Sequence, residues 1–408
     1  MRPTVAEIRL GALVHNYRLL ETNVQARAGA GARLIAVIKA NAYGHGVELC
    51  GRALAGAGAG WLGVTSVTEA MGLLRVLQGP RRPEPKPRVL VMSGFFPGEE
   101  STVLEHGLTP QVWDSWHFAR LGAVAGRAAG SVGVHLEIDT GMSRQGVAPG
   151  DALADLLKAM RDARPAVFVE GILTHFSSPE NDRVMREQVE QFGKALGQLW
   201  KAGVRPRWVH AGNSVNAWAG VEVGALATLA KQYGAELMVR PGLALYGVES
   251  GIPTSVKNPE PAVQAALKMD RAGRLEPVLC WKTRVTSLRE VGAGTPVGYG
   301  ETFRAPAAGA RLALLPVGYA DGFRRELSGR GVVLVRGCRV PVVGRVSMDQ
   351  TMVDVTSLPG VEVGNEVVLL GSQGEERISA AEMAGWCGTI PYEVLCGIGE
   401  RVGRVALH

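Results

Sequence analysis

Between Gly31 and Gly247 the chain alternates short apolar runs with longer amphipathic stretches. The runs at 33–39, 61–66, 88–93, 108–112, 132–139, 168–176, 208–214 and 237–247 have strand length and are partly β-branched, so they predict buried strands. The stretches between them, for example 45–57, 66–78, 150–161 and 183–202, have room for helices. Eight strand–helix units in succession predict a (β/α)8 barrel of the TIM type. In that fold the functional side chains collect at the carboxyl ends of the strands. After residue 248 the pattern changes. Residues 249–275 contain Pro253, Pro259 and Pro261 and then a charged stretch from Lys268 to Arg274, which suits a linker or inserted excursion. From 276 to 408 the runs are short, β-branched and punctuated by glycine, as at Val278–Val285, Arg311–Pro316, Gly331–Val335, Val340–Gly344 and Val367–Leu370. They predict an all-β module behind a barrel that spans 9–248.

Composition adds bounds. The 408 residues suffice for two domains with a large core. Hydrophobic residues at 46% and charged residues at 20% describe an ordinary globular chain. The formal charge of +6 is spread along the sequence, and its densest basic run, Arg81 to Arg88, is broken by prolines and suits a solvated loop. With no basic stripe interleaved with aromatics, nucleic acid is not an expected partner. Five cysteines, an odd number without CxxC spacing, fit free thiols in a reducing compartment and neither a disulfide framework nor a metal site. No apolar stretch approaches a membrane span, and Glu7 and Arg9 stand where a signal peptide would be apolar. A cytoplasmic location without membrane contact is the expectation.

The chemistry concentrates first at Lys39. The run Arg33-Leu-Ile-Ala-Val-Ile-Lys39 delivers a lysine to the end of an apolar strand, and Ala-Asn-Ala-Tyr43-Gly-His-Gly46 follows at once. Such an amine has one apolar side and one open side. Desolvation disfavours its charged form, leaving an amine able to condense with a carbonyl. Taken alone, a strand-end lysine that snorkels to water is the better reading. Arg144, His175, Ser214 and Arg240 fall at, near or just beyond the ends of other predicted strands, and that company favours a reactive amine.

AVIKANAYGHG (36–46) closely resembles the pyridoxal-phosphate lysine motif of the alanine racemases. Eight further stretches carry the resemblance in order through most of the chain. They are HLEIDTGMSRQG (135–146), LTHFSS (173–178), HAGNSVNA (210–217), VRPGLALYG (239–247), VGYGETF (297–303), LPVGYADGF (315–323), VGRVSMDQ (343–350) and GTIPYEVLCGI (388–398).

The resemblance implies pyridoxal 5'-phosphate bound through Lys39 and an amino-acid substrate. It also implies a head-to-tail homodimer with shared active sites, and residues 1–8 as an extra strand of the β module. It assigns the cofactor phosphate to Asn213, Ser214, Gly242 and Leu243 at the ends of the last two strands, with the phenols of Tyr43 and Tyr392. Ser214 reads independently as a helix N-cap, which is compatible. Arg240 is the implied partner of the ring nitrogen. A guanidinium does not give up its proton at ordinary pH, so the nitrogen stays unprotonated and side reactions such as transamination are restrained. Racemisation needs proton removal on one face and delivery on the other, hence two groups. Lys39 serves one face and Tyr299, reaching in from the partner subunit, the other. A phenol near its ordinary pKa of ~10 is a poor base, and the family supports it with His175, Arg240 and His210. Without the resemblance His175 reads as a core histidine. Arg144 and the backbone N–H of Met348 match the residues that hold the substrate carboxylate, and Arg144 is expected to reach the cofactor's phenolic oxygen as well. Tyr319 and Tyr392 narrow the entrance to favour a methyl side chain.

Two positions depart from the family. Many members carry a carbamylated lysine seven residues before the arginine. Here Glu137 stands in that place, and the expectation is a permanent carboxylate holding Arg144 in a charge-assisted pair. A peripheral strand residue is the plainer reading of Glu137. Ser347 precedes Met348 where many relatives have cysteine. A serine or broad-specificity racemase is the closest alternative in function. A non-catalytic pyridoxal-phosphate-binding barrel would lack the β module with Tyr299 and Met348-Asp349, and a barrel decarboxylase would want an acid where Arg240 stands.

Overall fold

The computed structural model describes residues 2–78, 85–178, 181–248, 264 and 274–407. Most of the 249–275 stretch, and the first residues of the basic run at 81–88, lie outside them. Eight parallel strands run in chain order around a ring. The first is split into Arg33–Leu34 and Ala36–Val37. The others are Trp61–Val64, Arg88–Val91, Thr109–Val112, Val132–Ile138, Val167–Thr174, Trp208–His210 and Glu236–Val239. Arg33–Leu34 pairs with Glu236–Val239 and Ala36–Val37 pairs with Trp61–Val64, so the split strand closes the ring. Ile35 N–H, at the split, donates to Val239 O at 2.9 Å.

All of these strands but Thr109–Val112 end before the apolar runs that carry them. The first stops at Val37. The run 208–214 stops at His210, because the Asn213 side chain accepts from Val215 N–H and caps the helix Ser214–Ala219. The run 237–247 stops at Val239. Pro241 lacks the N–H a strand would need, and the chain turns into the 3-10 segment Leu243–Tyr246.

The register decides which side chains meet inside the barrel. His135, Gly171 and Trp208 are cross-strand partners, and one step nearer the carboxyl end so are Glu137, Leu173 and His210. In the lower layer Ile35, Trp61, Leu90, Trp208 and Met238 form a compact apolar plug. The absence of a side chain at Gly171 matters there, since a Cβ would lie 2.7 Å from the His135 ring. Above the plug the interior turns polar, with buried Gln111, His135, Glu137, His210 and Arg240.

The second region is a largely antiparallel sheet in which Leu279–Arg284 lies between Val5–Arg9 and Glu366–Gln373. Val5–Arg9 also runs parallel to Gly403–Leu407, so both ends of the chain close this module. Two short helices that its β-branched pattern does not reveal, Ala380–Cys387 and Pro391–Cys396, complete it. The second packs beside the segment after Lys39, where Arg404 Nε donates to Gly44 O at 2.9 Å. Among the described residues no helix is long and apolar enough to cross a membrane, and no three histidine, cysteine or acidic side chains cluster as a metal site would require.

Candidate active site

Lys39 is partly buried at the carboxyl end of the first strand. Burial, then the nearby Arg144 guanidinium, lowers its pKa from the ordinary lysine value, and both favour the neutral amine. The chain leaves it in an unusual way. Ala40, Asn41, Ala42 and Tyr43 all have left-handed backbone angles, with φ of 51, 54, 56 and 52°. L-residues resist this region by roughly 1–2 kcal/mol each, so the surroundings must hold the turn in place. The Asn41 Oδ1 accepts from Val47 N–H at 2.7 Å, Glu69 Oε1 accepts from Ala40 N–H at 2.8 Å, and the His45 ring bonds two carbonyls of the turn. The result directs Lys39 and Tyr43 into one space.

Arg240 follows the last strand, the neighbour of the strand that delivers Lys39, and is 6% exposed. Its Nη2 donates to Thr174 O at 2.8 Å and to His175 Nδ1 at 3.2 Å, while Nη1 donates to His210 Nδ1 at 3.0 Å. Burial pushes its pKa down to about 10, and it remains cationic at neutral pH. Because a guanidinium only donates, both imidazoles must accept at Nδ1 and carry their proton on Nε2. His210 Nε2 is 2.8 Å from His135 Nδ1, which extends the relay by one member. Desolvation first, with Arg240 adding to it, holds His175 at about 3 and keeps it neutral. His135 also falls to about 3 by burial, and His210 lies well below the usual histidine range.

A third group of donors meets between the last two strands and the Lys39 turn. Since Asn213 takes the capping role, the Ser214 hydroxyl is released from it and instead accepts from Gly242 N–H at 3.0 Å and Ala244 N–H at 3.2 Å. Tyr43 closes over the same point, and a Cβ at Gly242 would collide with its Oη. The rings of Tyr43 and Tyr392 are 5.9 Å apart. Burial raises both phenols, which stay protonated and can donate. Two backbone N–H groups, a hydroxyl and two phenols beside the turn that follows Lys39 would suit a phosphorylated aldehyde, with the phosphate at Ser214 and the carbonyl carbon at the Lys39 amine.

The expected Glu137–Arg144 pair is not formed. Glu137 is 3% exposed, and its Oε2 accepts from Gln111 Nε2 at 3.2 Å and from Gln145 Nε2. Its two methylenes reach less far than a lysine stem of four, so the carboxylate stays among the interior amides. Burial raises its pKa, with the Gln145 hydrogen bond and the positive charge of Arg240 and Arg144 opposing. Arg144 is exposed and makes no ion pair among the described residues, although its charge is felt at Lys39 and His175. Tyr299, Met348 and Tyr319 stand apart, exposed by 71, 52 and 43%. No hydrogen bond among the described residues joins their side chains to the Lys39 site.

Lys39, Tyr43, Arg144, His175, His210, Ser214, Arg240, Gly242 and Tyr392 are thus brought to one end of the barrel. Asn213 acts there as a helix cap and Leu243 opens the turn beside Gly242. Sequence reasoning missed His135, Gln111 and Gln145. His135 had a signal, because it precedes Glu137 by two in a strand and shares its face. Gln111 and Gln145 reach Glu137 only through the barrel's curvature and a returning loop.

The Alanine racemase, N-terminal domain family model matches residues 8–250, and the Alanine racemase, C-terminal domain model matches 278–406. The chain is 40% identical over 412 residues to the alanine racemase of Symbiobacterium thermophilum, covering 99% of this chain and 97% of that one. Among solved structures, the alanine racemase of Streptomyces coelicolor A3(2) superposes with a TM-score of 0.85 at 31% identity, covering 100% of this chain and 98% of that one. The Bartonella henselae alanine racemase with covalently bound pyridoxal phosphate gives 0.79 at 28% identity, with both chains fully covered.

Proposed function

The chain belongs to the alanine racemase family, and from that premise we propose that it interconverts L- and D-alanine with pyridoxal 5'-phosphate held through Lys39. The observation that carries the reading is the pairing of a half-buried Lys39 amine, its charged form disfavoured by burial, with a cationic Arg240 braced by His175 and His210. When bound, the cofactor supplies the electron sink that makes the substrate Cα–H acidic enough to lose. The chain's own groups do the rest. Tyr43, Ser214, Tyr392 and the N–H groups at 242–244 bind the phosphate. Arg240, already committed as a donor to two histidines, faces the ring nitrogen and withholds a full positive charge from it. Arg144 takes the substrate carboxylate together with the Met348 N–H. Lys39 Nζ takes or returns the Cα proton on one face, and Tyr299 Oη serves the other.

Tyr299, Tyr319 and Met348 then need a second copy of the chain to bring them to Lys39, and their exposure supports a homodimer with shared sites. Glu137 keeps a carboxylate near Arg144 without any carbamylation. It acts through Gln145, which also donates to Met92 O at 3.0 Å and so fixes the loop that carries the arginine. The product suits a cytoplasmic supply of D-alanine for peptidoglycan. The test is direct. Purified protein loaded with pyridoxal 5'-phosphate should equilibrate L- and D-alanine, and a rate series on alanine, serine and lysine fixes its breadth. Loaded protein that leaves all three unchanged would refute the reading.

A further inference from the structure

His45 has no part in the chemistry above, yet it is completely buried beside it. Its Nδ1 lies 3.0 Å from Ala42 O and 2.9 Å from Tyr43 O. Both neighbours are carbonyls, so Nδ1 must carry the proton. Its pKa is lowered to about 4 by burial, and the ring is therefore neutral with one proton in one place. Nε2 is buried and has no partner. The ring stacks on Tyr246 with centroids 4.3 Å apart, and Tyr246 Oη donates to Val37 O at 3.1 Å, in the strand that delivers Lys39. His45 also lines a small cavity with Leu370, Ile378 and Leu395 of the β module. It is thus wedged between the strand before Lys39, the left-handed turn after it and the second domain.

We propose that His45 is a positioning residue. Its single Nδ1–H, shared by the Ala42 and Tyr43 carbonyls, holds the left-handed turn that aims Lys39 and Tyr43 at the cofactor. The other side-chain braces act on its first two residues, at Ala40 N–H and Asn41 Oδ1, and of its last two carbonyls Ala42 O also accepts from the His45 backbone N–H at 3.0 Å. Among the described residues, His45 alone contributes a side-chain donor to its last two carbonyls. An ordinary core histidine would contribute volume, for which an apolar side chain of similar size substitutes. A clamp contributes a donor, for which Leu does not and Asn does, because the Asn amide nitrogen occupies nearly the place of Nδ1.

The inference rests on Lys39 and Tyr43 being cofactor residues, and the experiment separates the two. Cofactor affinity, kcat and KM for alanine are measured for wild type, His45→Leu and His45→Asn, each also carrying Ala42→Gly, since glycine enters the left-handed region without penalty. His45→Leu should bind pyridoxal 5'-phosphate at least ~10-fold more weakly and lose kcat by a similar factor. KM should stay near the wild-type value, because Arg144 sits on another loop. His45→Asn should stay within ~3-fold of wild type, and Ala42→Gly should restore much of what His45→Leu loses. Wild-type affinity in His45→Leu, or a loss there that Ala42→Gly leaves untouched, would overturn the clamp. If His45→Leu does not fold, the Asn variant decides: cofactor binding more than ~10-fold weaker in His45→Asn overturns it. A wild-type protein that fails to bind the cofactor would instead sink the functional reading.

Discussion

The two regions of the molecule prepare their active groups in opposite ways. At the carboxyl end of the barrel, Arg240 and His210 are 6% and 0% exposed and have their hydrogen bonds in place within one chain. In the β module, Tyr299, Tyr319 and Met348 face outward on short turns without such partners. On the proposed reading, one half is preorganised by folding and the other needs a second copy of the chain. Damage to the barrel half should therefore strike cofactor capture and turnover together, whereas damage to the β half should strike turnover and leave the cofactor bound.

The largest effect is expected at Lys39. Lys39→Ala removes the covalent anchor and one proton carrier, and racemisation should fall by about 10⁴-fold or more. Borohydride reduction followed by peptide mass analysis should no longer tag residues 34–46. Tyr299→Phe should lose about 10²–10⁴-fold in kcat while the reduced cofactor still appears on Lys39. The comparison breaks or holds in a mixture of the two. In a dimer of one Lys39→Ala chain and one Tyr299→Phe chain, a shared site pairs an intact Lys39 with the intact Tyr299 of the other copy. Subunit exchange should then revive alanine turnover to a substantial fraction of wild type. If each site is built within one chain, the mixture stays as inactive as its components.

Acid should distinguish the halves next. His45, His135 and His210 are buried neutral in the barrel, at about 4, about 3 and well below the usual range, whereas an unfolded histidine titrates near 6.5. The unfolded chain binds these protons first, so their contribution is fully present above pH 6.5 and shrinks as pH falls toward the folded values. At pH 5 His45 and His135 each forfeit on the order of 2 kcal/mol, and His210 acts in the same direction. Between 276 and 407 the β module has no histidine. Hydrogen exchange followed from pH 7.5 to pH 5 should therefore loosen the barrel strands before the sheet. Loss of protection in the sheet first would place the acid-sensitive groups elsewhere.

How much of this was legible depends on distance along the chain. The barrel was readable because each strand's apolar run is local. The proposed cofactor residues were nameable because each sits inside a motif of about ten residues. The closing of strands at Val37, His210 and Val239 was less so, since Asn213 and Pro241 end the last two by local hydrogen bonding while hydrophobicity continues. Hardest was the partner of a buried charge. The seven-residue spacing of Glu137 and Arg144 puts them near each other, but which donor a carboxylate takes depends on reach and on neighbouring strands. Gln111 comes from the strand before, which no periodicity in 132–146 discloses.

The smallest expected effect therefore tests the seam between preorganised and waiting groups, at Glu137 itself. Were it a direct ion-pair partner, Glu137→Gln would free Arg144 and raise KM strongly. The observed geometry makes it an acceptor for two amides, which a glutamine oxygen can partly replace. Glu137→Gln should raise KM for alanine by about 2- to 5-fold, and Glu137→Ala by about 10-fold, since the latter takes the carboxylate partner from the buried Gln111 amide and leaves the Gln145 loop held by its bond to Met92 O alone. In both, kcat should change less than KM, because Arg240 keeps its own partners and Lys39 stands on another strand. Neither variant should respond to added bicarbonate, since no lysine is present to be carbamylated. A KM unchanged in Glu137→Ala would make Glu137 a bystander in the barrel wall, and would move Arg144 to the waiting half of the site, positioned only by substrate and the second chain.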